Sequence, residues 1–449
     1  MPRSSFSLPL KAANELSHDR TEEFPTEIIT EIFIFVCGPG VLLPPPIHKY
    51  PWILGYVCSR WRQILWNTPA IWNKITIGYR GSKIPKVPVE GYCGRYMEKY
   101  TVDDILSYIL LSTTYPISLN VTNDEYVRKA PHIVYKNLDR FSELSVVSGL
   151  GLSFREVSFI FDLPASAFTQ LEKLSLSSLD VDERYVDYGT APLQTAPSLR
   201  SVSYKMKHPT YIPSFLLLPW SIIEDITIDG MCIPPEIIWN ILRSSPRLVS
   251  CLLNIDATIP IPGTPKLSLP HLPRFGLRTL SEFNWDFFLS HILAPSLKSV
   301  TLQSPFSPCT PLVSLVERSQ CSVKNLSLST NDGNVSIDPT DFGLLLDRVP
   351  SLVTFKSSWV APPSTFTRIY QGVLPDLAEL EVPVHPDGLR AFMKLIDWCI
   401  VDPAQRRLIC FRVVWYCSPF EFSTEQDRFM EYSRMGDQRF KFISGTRSF

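Results

Sequence analysis

The chain has 449 residues, of which 45% are hydrophobic and 19% charged, enough apolar material for two or three folding units and too much for wholesale disorder. Lys and Arg number 43 against 44 for Asp and Glu, a net charge of −1, which excludes a global field for drawing in nucleic acid or anionic lipid. The 40 prolines are about twice the usual share of roughly 5%, so long uninterrupted helices are excluded and many short elements are expected.

The first twenty residues read as a flexible tail without the apolar core of a signal peptide, and no stretch reaches the ~18 apolar residues of a bilayer span. Ten scattered cysteines without a C-x-x-C pair suit reduced, mostly buried thiols. These features predict a cytoplasmic or nuclear protein that uses neither membrane nor nucleic acid as a partner. Phe24-Pro25-Thr26-Glu27 opens a predicted helix, with Pro25 at its first position. Ile28, Ile29, Ile32, Phe33 and Val36 give it a broad apolar stripe that ends at Gly38-Pro39-Gly40. A proline-rich loop to Pro51 precedes a second predicted helix from Trp52 to about Trp66, carrying Val57, Trp61, Ile64 and Leu65. Asn67-Thr68-Pro69 ends it before Ile71-Trp72, and Ile75-Thr76-Ile77 alternates like a short strand. Residues 78–100 read as a linker, and a further amphipathic helix is expected at 102–111.

Beyond that, the pattern L-x-x-L-x-L, read with any large apolar residue, recurs. Its central anchors are Leu144, Leu174, Val202, Ile226, Cys251, Phe275, Val300, Leu326, Phe355 and Leu380, spaced 30, 28, 24, 25, 24, 25, 26, 29 and 25 residues apart. Six windows open with Pro-x-Leu, at Pro197, Pro246, Pro270, Pro295, Pro350 and Pro375. Proline there is expected to end the preceding helix and force an extended backbone. A strand and a short helix every 24–30 residues match the leucine-rich-repeat period of about 20–29, in which stacking buries the face that each unit leaves bare. The asparagine or cysteine expected after the strand occurs once, as Asn331. Gly149, Lys207, Met231 and Asp256 stand at equivalent places, so the usual side-chain ladder is not expected. The predicted fold class is α/β, a short all-helical N-terminal unit followed by a leucine-rich-repeat-like solenoid with a curved parallel sheet and helices on its outer face. An ordinary α/β domain with leucine-rich strands is the competing fold.

The run Phe24-Pro25-Thr26-Glu27-Ile28-Ile29-x-x-Ile32-Phe33, the run Val57-Cys58-Ser59-Arg60-Trp61-Arg62 and the segment Thr68-Pro69-Ala70-Ile71-Trp72 together resemble an F-box. The whole layout is similar to the F-box proteins abundant in mushroom-forming fungi. It differs in the long loop from Gly38 to Pro51 and in Phe24 where leucine is usual. The resemblance implies an F-box at 21–77, a solenoid over 101–430 and a C-terminal tail at 431–449. It implies docking on a Skp-family adaptor, and through it a cullin, with Pro25, Ile28, Ile32, Val57, Cys58 and Trp61 forming the docking face. Phe24, Phe33, Ile64 and Trp72 would form the small core behind that face. The repeats would hold a target protein for ubiquitin transfer, as the substrate-recognition subunit of a ligase of the Skp–cullin–F-box kind. The alternative is a ligase-independent scaffold in which the helices cap the solenoid.

Catalysis has little to stand on in these residues. There is no G-x-S-x-G nucleophile elbow, no P-loop and no G-x-G-x-x-G cradle, and the seven histidines do not pair with cysteine at zinc spacing. Asp180, Asp182, Glu183 and Asp187 cluster, but Arg184 and Tyr185 interrupt a calcium loop. A non-catalytic adaptor with no cofactor and no metal is the expectation. Trp220, Trp239, Trp285, Trp359 and Trp415 are candidate contacts to the target.

Overall fold

The computed structural model describes residues 24–38, 40–43, 49–78, 109, 115–122, 137–153, 167–180, 192–206, 218–233, 235–255, 266–279, 284–330, 339–384, 386–401, 410–415, 428, 431 and 440–443. The expected tail at 1–20, the linker at 78–100 beyond Gly78, and all of the 102–111 helix except Ile109 lie outside these residues. The chain forms two compact units, residues 1–143 and 144–449.

The first unit contains α1 (Thr26–Val36), β1 (Val41–Leu43), a 3-10 segment (Trp52–Tyr56), α2 (Ser59–Trp66), a second 3-10 turn (Pro69–Ile71), β2 (Lys74–Ile77), β3 (Ile117–Val121) and the start of β4 (Phe141–Ser153). The expectation of an all-helical unit is therefore corrected. Val41–Leu43 pairs in parallel with Ile75–Ile77, and β2 pairs in parallel with β3. Gly40 makes the first pairing possible. Its φ is +93°, and a Cβ there would sit 2.8 Å from the Lys74 carbonyl oxygen, so only glycine allows the close approach.

The expected single helix from Trp52 to Trp66 is two pieces. Cys58 is extended (φ −155°, ψ 172°), and its Sγ accepts the Trp61 N–H at 3.4 Å, so it caps α2. Arg62 Nε donates to the Gly55 carbonyl at 2.8 Å, satisfying an oxygen that the break leaves free. Pro25 likewise stands just outside α1, and its carbonyl accepts from the Ile28 and Ile29 amides.

In the second unit the main strands are β5 (Lys173–Asp180), β6 (Ser201–Met206), β7 (Asp225–Ile233), β8 (Ser250–Ile255), β10 (Arg274–Thr279), β12 (Ser299–Gln303), β13 (Asn325–Ser329), β14 (Thr354–Ser357), β15 (Glu379–Val384), β16 (Cys410–Trp415) and β17 (Phe440–Ile443). They lie side by side in this order, all parallel. A parallel neighbour requires a return connection. Later returns run through α3 (Pro235–Ser244), α4 (Trp285–Ser290), α5 (Cys309–Ser319), α6 (Pro339–Arg348), α7 (Pro363–Tyr370) and α8 (Pro386–Val401). Two short strands, β9 (Leu267–Ser268) and β11 (Ile292–Leu293), pair in parallel among the returns. The result is a solenoid-like α/β arrangement.

The apolar anchors are in register. Leu174, Val202, Ile226, Cys251, Phe275, Val300, Leu326, Phe355, Leu380 and Phe411 are successive cross-strand partners, and every one whose burial is described is buried. Alternation places these side chains on one face with Leu176, Tyr204, Ile228, Leu253, Leu277, Leu302 and Leu328. Pro-x-Leu has a sharper role than expected. In all six windows the leucine N–H donates to the carbonyl of the residue before proline, as in Leu297 to Ala294 at 3.2 Å and Leu352 to Val349 at 3.1 Å. Proline is thus the second residue of a β-turn, where its fixed φ is favoured.

A backbone ladder runs across the starts of the strands. One carbonyl accepts two amides from the next strand: Glu172 from Arg200 and Ser201, Lys298 from Lys324 and Asn325, Lys324 from Val353 and Thr354. Before β10 the doublet is single, Arg274 to Val249, because Pro273 has no N–H. The pattern also outruns its expected limit. Phe411 and Val413 of β16 pair with Leu380 and Val382, and Phe440 to Ile443, placed in the expected tail, pairs with β16.

Candidate interaction surface

Helix α1 is apolar on two sides. Ile29 and Phe33 are 4% and 0% exposed and face the unit's interior, whereas Ile28, Ile32 and Phe35 are 48%, 52% and 88% exposed. These outer residues fall at i, i+4 and i+7, which is one stripe of a helix. Among the described residues the Ile29–Phe33 side of α1 is covered and the Ile28–Ile32–Phe35 stripe is left open. Val57, before α2, is also exposed, as are Ile53 and Tyr56.

A tryptophan core holds α1 and α2 in place. Phe33 meets Trp61 edge to face at 5.1 Å. Trp72 stacks on Trp66 at 4.4 Å and meets Trp52 edge to face at 5.6 Å. The Trp72 indole N–H donates to the Leu65 carbonyl at 2.9 Å, and the Thr68 hydroxyl donates to the Ile64 carbonyl at 2.7 Å. Arg60 Nη2 donates to the Phe24 carbonyl at 2.7 Å, tying the approach to α1 onto α2. Burial pushes the Cys37 thiol up to about 11, so this cysteine is a packing group rather than a nucleophile.

Of the residues expected on the docking face, Pro25, Ile28, Ile32 and Val57 are exposed, and Cys58 and Trp61 are half-buried. Of the expected small core, Phe33, Ile64 and Trp72 are buried. Phe24 is corrected: it is 51% exposed, because it precedes the helix, where its carbonyl accepts from Arg60. Phe35, the most exposed residue of the stripe, lies outside the motif positions, although its i+7 spacing from Ile28 is readable in the sequence.

The second surface is the strand face opposite the anchors. Hydroxyl side chains recur on it: Ser175, Ser201, Ser203, Thr227, Ser250, Ser299, Thr301, Ser327 and Ser329 are all half-buried. Charges on it pair across strands. Arg274 meets Asp225 at 3.2 Å and Arg278 meets Asp229 at 2.8 Å, each reaching over β8. Lys356 lies 2.8 Å from Glu379 and 3.6 Å from Glu381.

Three of the tryptophans proposed as target contacts are buried core: Trp239, Trp285 and Trp359. Trp220 is half-buried, and the Trp415 side chain lies outside the described residues. So do Asp182, Glu183, Asp187 and the side chain of Asp180. Among the described residues no group of three His, Cys, Asp or Glu could hold a metal ion, and no helix is long and apolar enough to cross a membrane. No known protein family matches the chain, and no curated protein is similar to it.

Proposed function

We propose that the chain is a substrate receptor of a ubiquitin ligase, with 21–77 acting as an F-box that docks on a Skp-family adaptor and so on a cullin. The repeats, read as a leucine-rich-repeat-like solenoid with a curved sheet, then hold a target protein. The observation that carries this reading is the outer stripe of α1. Fully burying one aliphatic or aromatic side chain contributes about 1.5–3 kcal/mol, so covering Ile28, Ile32 and Phe35, each roughly half exposed or more, offers on the order of 3–5 kcal/mol to a partner. The chain needs no chemistry of its own in this role, because holding a target beside a charged conjugating enzyme raises effective concentration. A cytoplasmic or nuclear setting follows from the same reading.

The test is co-purification of the full chain with its host's Skp-family adaptor, beside an Ile28→Asp/Ile32→Asp variant checked for folding by circular dichroism. A stoichiometric complex with the wild type and none with the folded variant supports the reading. A folded wild type that binds no adaptor sinks it in favour of a scaffold that works without a ligase.

A further inference from the structure

Helix α2 breaks a local rule. Its first turn carries no acidic residue, and Arg60 and Arg62 are its second and fourth residues, where the positive end of the helix dipole disfavours cations. Both guanidinium groups engage backbone oxygens outside the helix. Arg60 Nη2 donates to the Phe24 carbonyl at 2.7 Å, 36 residues away in sequence, and Arg62 Nε donates to the Gly55 carbonyl at 2.8 Å.

The two segments so tied have weak local support. Helix α1 starts at Pro25 without a side-chain cap, and its first turn hangs on the Pro25 carbonyl, which accepts the Ile28 and Ile29 amides. Arg60 takes hold one residue before that turn. The 3-10 segment Trp52–Tyr56 also lacks a side-chain cap, and its kind of hydrogen bond is poorly aligned. Arg62 holds it from within. Each segment carries exposed apolar residues: Ile28, Ile32 and Phe35 follow the first tie, and Ile53, Tyr56 and Val57 flank the second. Helix α2, which meets the inner side of α1 through Trp61 and Phe33, therefore sets the position of both.

We propose that Arg60 and Arg62 are positioning residues of the docking surface: they fix two separate apolar segments to α2, so that the surface is formed before the partner arrives. A preformed surface keeps the binding-competent population high, and apparent affinity falls in proportion when that population falls. This role rests on the reading of α1 as an adaptor-docking helix, whereas the two ties act in the free chain as well.

The experiment is amide hydrogen exchange of the full chain, read by mass spectrometry on peptides covering 24–36, 50–58 and 59–66, beside association and dissociation rates with the host's Skp-family adaptor. Arg60→Ala should speed exchange at least about threefold in 24–36 and leave 50–58 unchanged, and Arg62→Ala should do the reverse. Alanine raises helix propensity and removes the misplaced charge, so 59–66 should exchange no faster in either variant. In the double variant adaptor association should slow at least about threefold while dissociation changes less, because the contacts finally made are the same. Arg60→Lys/Arg62→Lys keeps the charge and a donor at each place and should recover part of the protection, which loss of electrostatic steering would not explain. Unchanged exchange in 24–36 and 50–58 overturns the proposal whatever the adaptor does. Faster exchange with an unaltered association rate also overturns it, since the ties would then serve the fold and not the docking. A wild type that binds no adaptor, with exchange altered as expected, defeats the docking reading and the docking role with it, and leaves the two ties standing.

Discussion

The indole of Trp72 lies flat against that of Trp66, centroids 4.4 Å apart and planes within 5°, while its N–H reaches the Leu65 carbonyl at 2.9 Å. One side chain thereby closes the core behind α2 and satisfies a carbonyl at that helix's C-terminal end. Trp72→Ala removes both and leaves a large cavity, so the first unit should lose about 3–5 kcal/mol. Trp72→Phe keeps a ring and leaves the Leu65 carbonyl its backbone donor, the Thr68 N–H at 3.3 Å, so it should lose only about 0.5–1.5 kcal/mol. Urea unfolding followed by tryptophan fluorescence checks the ranking, and a Trp72→Phe variant as stable as the wild type would refute the hydrogen-bond contribution.

Ser357 occupies the position where neighbouring β13 carries Leu328, which is why the sequence pattern lacks its last apolar residue there. Its Oγ accepts the Trp359 N–H at 3.0 Å and donates to the Trp359 carbonyl at 3.1 Å, all within the core. Ser357→Val would restore the pattern yet strand a buried amide and carbonyl. We expect a net destabilisation of about 1–3 kcal/mol, read as a lower urea midpoint. A stabilised Ser357→Val would show that pattern outweighs hydrogen bonding at this site.

Gly276 on β10 faces Leu252 on β8. A Cβ built on Gly276 would sit 2.5 Å from Leu252 Cδ1, so Gly276→Ala forces the leucine to move, at a cost of about 1–3 kcal/mol. Because the obstacle is the tip of a flexible side chain, Leu252→Ala should relieve it. A double-mutant cycle should show coupling of at least about 0.5 kcal/mol, and additive losses would place the strain elsewhere.

These residues also show what the sequence could carry. Spacing alone placed Leu174, Val202, Ile226 and their successors, because a register one residue out would turn every anchor to water. Local apolar runs could not announce β1, whose pairing depends on Gly40 meeting Lys74 across the long loop, nor the break at Cys58, which a thiol cap creates. Phe24 matched a motif position but not its burial, since composition does not say which end of a helix is covered. The cross-strand ion pairs were out of reach for another reason. Arg274 finds Asp225 49 residues away in sequence, and such a partner is decided only when the strands stand side by side.

Buried thiols make stability fall at alkaline pH. Burial pushes Cys309 up to about 11, with the Asp341 carboxylate adding to it and the Ser307 hydrogen bond opposing it. Cys37 rises to about 11 by burial alone. An unfolded thiol ionises near 8.5, so between about pH 8.5 and 11 the unfolded chain sheds protons that the folded chain keeps. The unfolded state then binds fewer protons, and the unfolding free energy falls as pH rises through this window. Below pH 8 the thiols are protonated in both states and contribute no slope. Other groups also titrate above pH 9, so the comparison that isolates the effect is Cys309→Ala. Its urea midpoint should fall less than that of the wild type between pH 8 and 10.5. In the same range native Cys37 and Cys309 should resist iodoacetamide until the chain is unfolded, as mapped by mass spectrometry. Parallel pH profiles for the wild type and Cys309→Ala would mean that the Cys309 thiol ionises alike in both states.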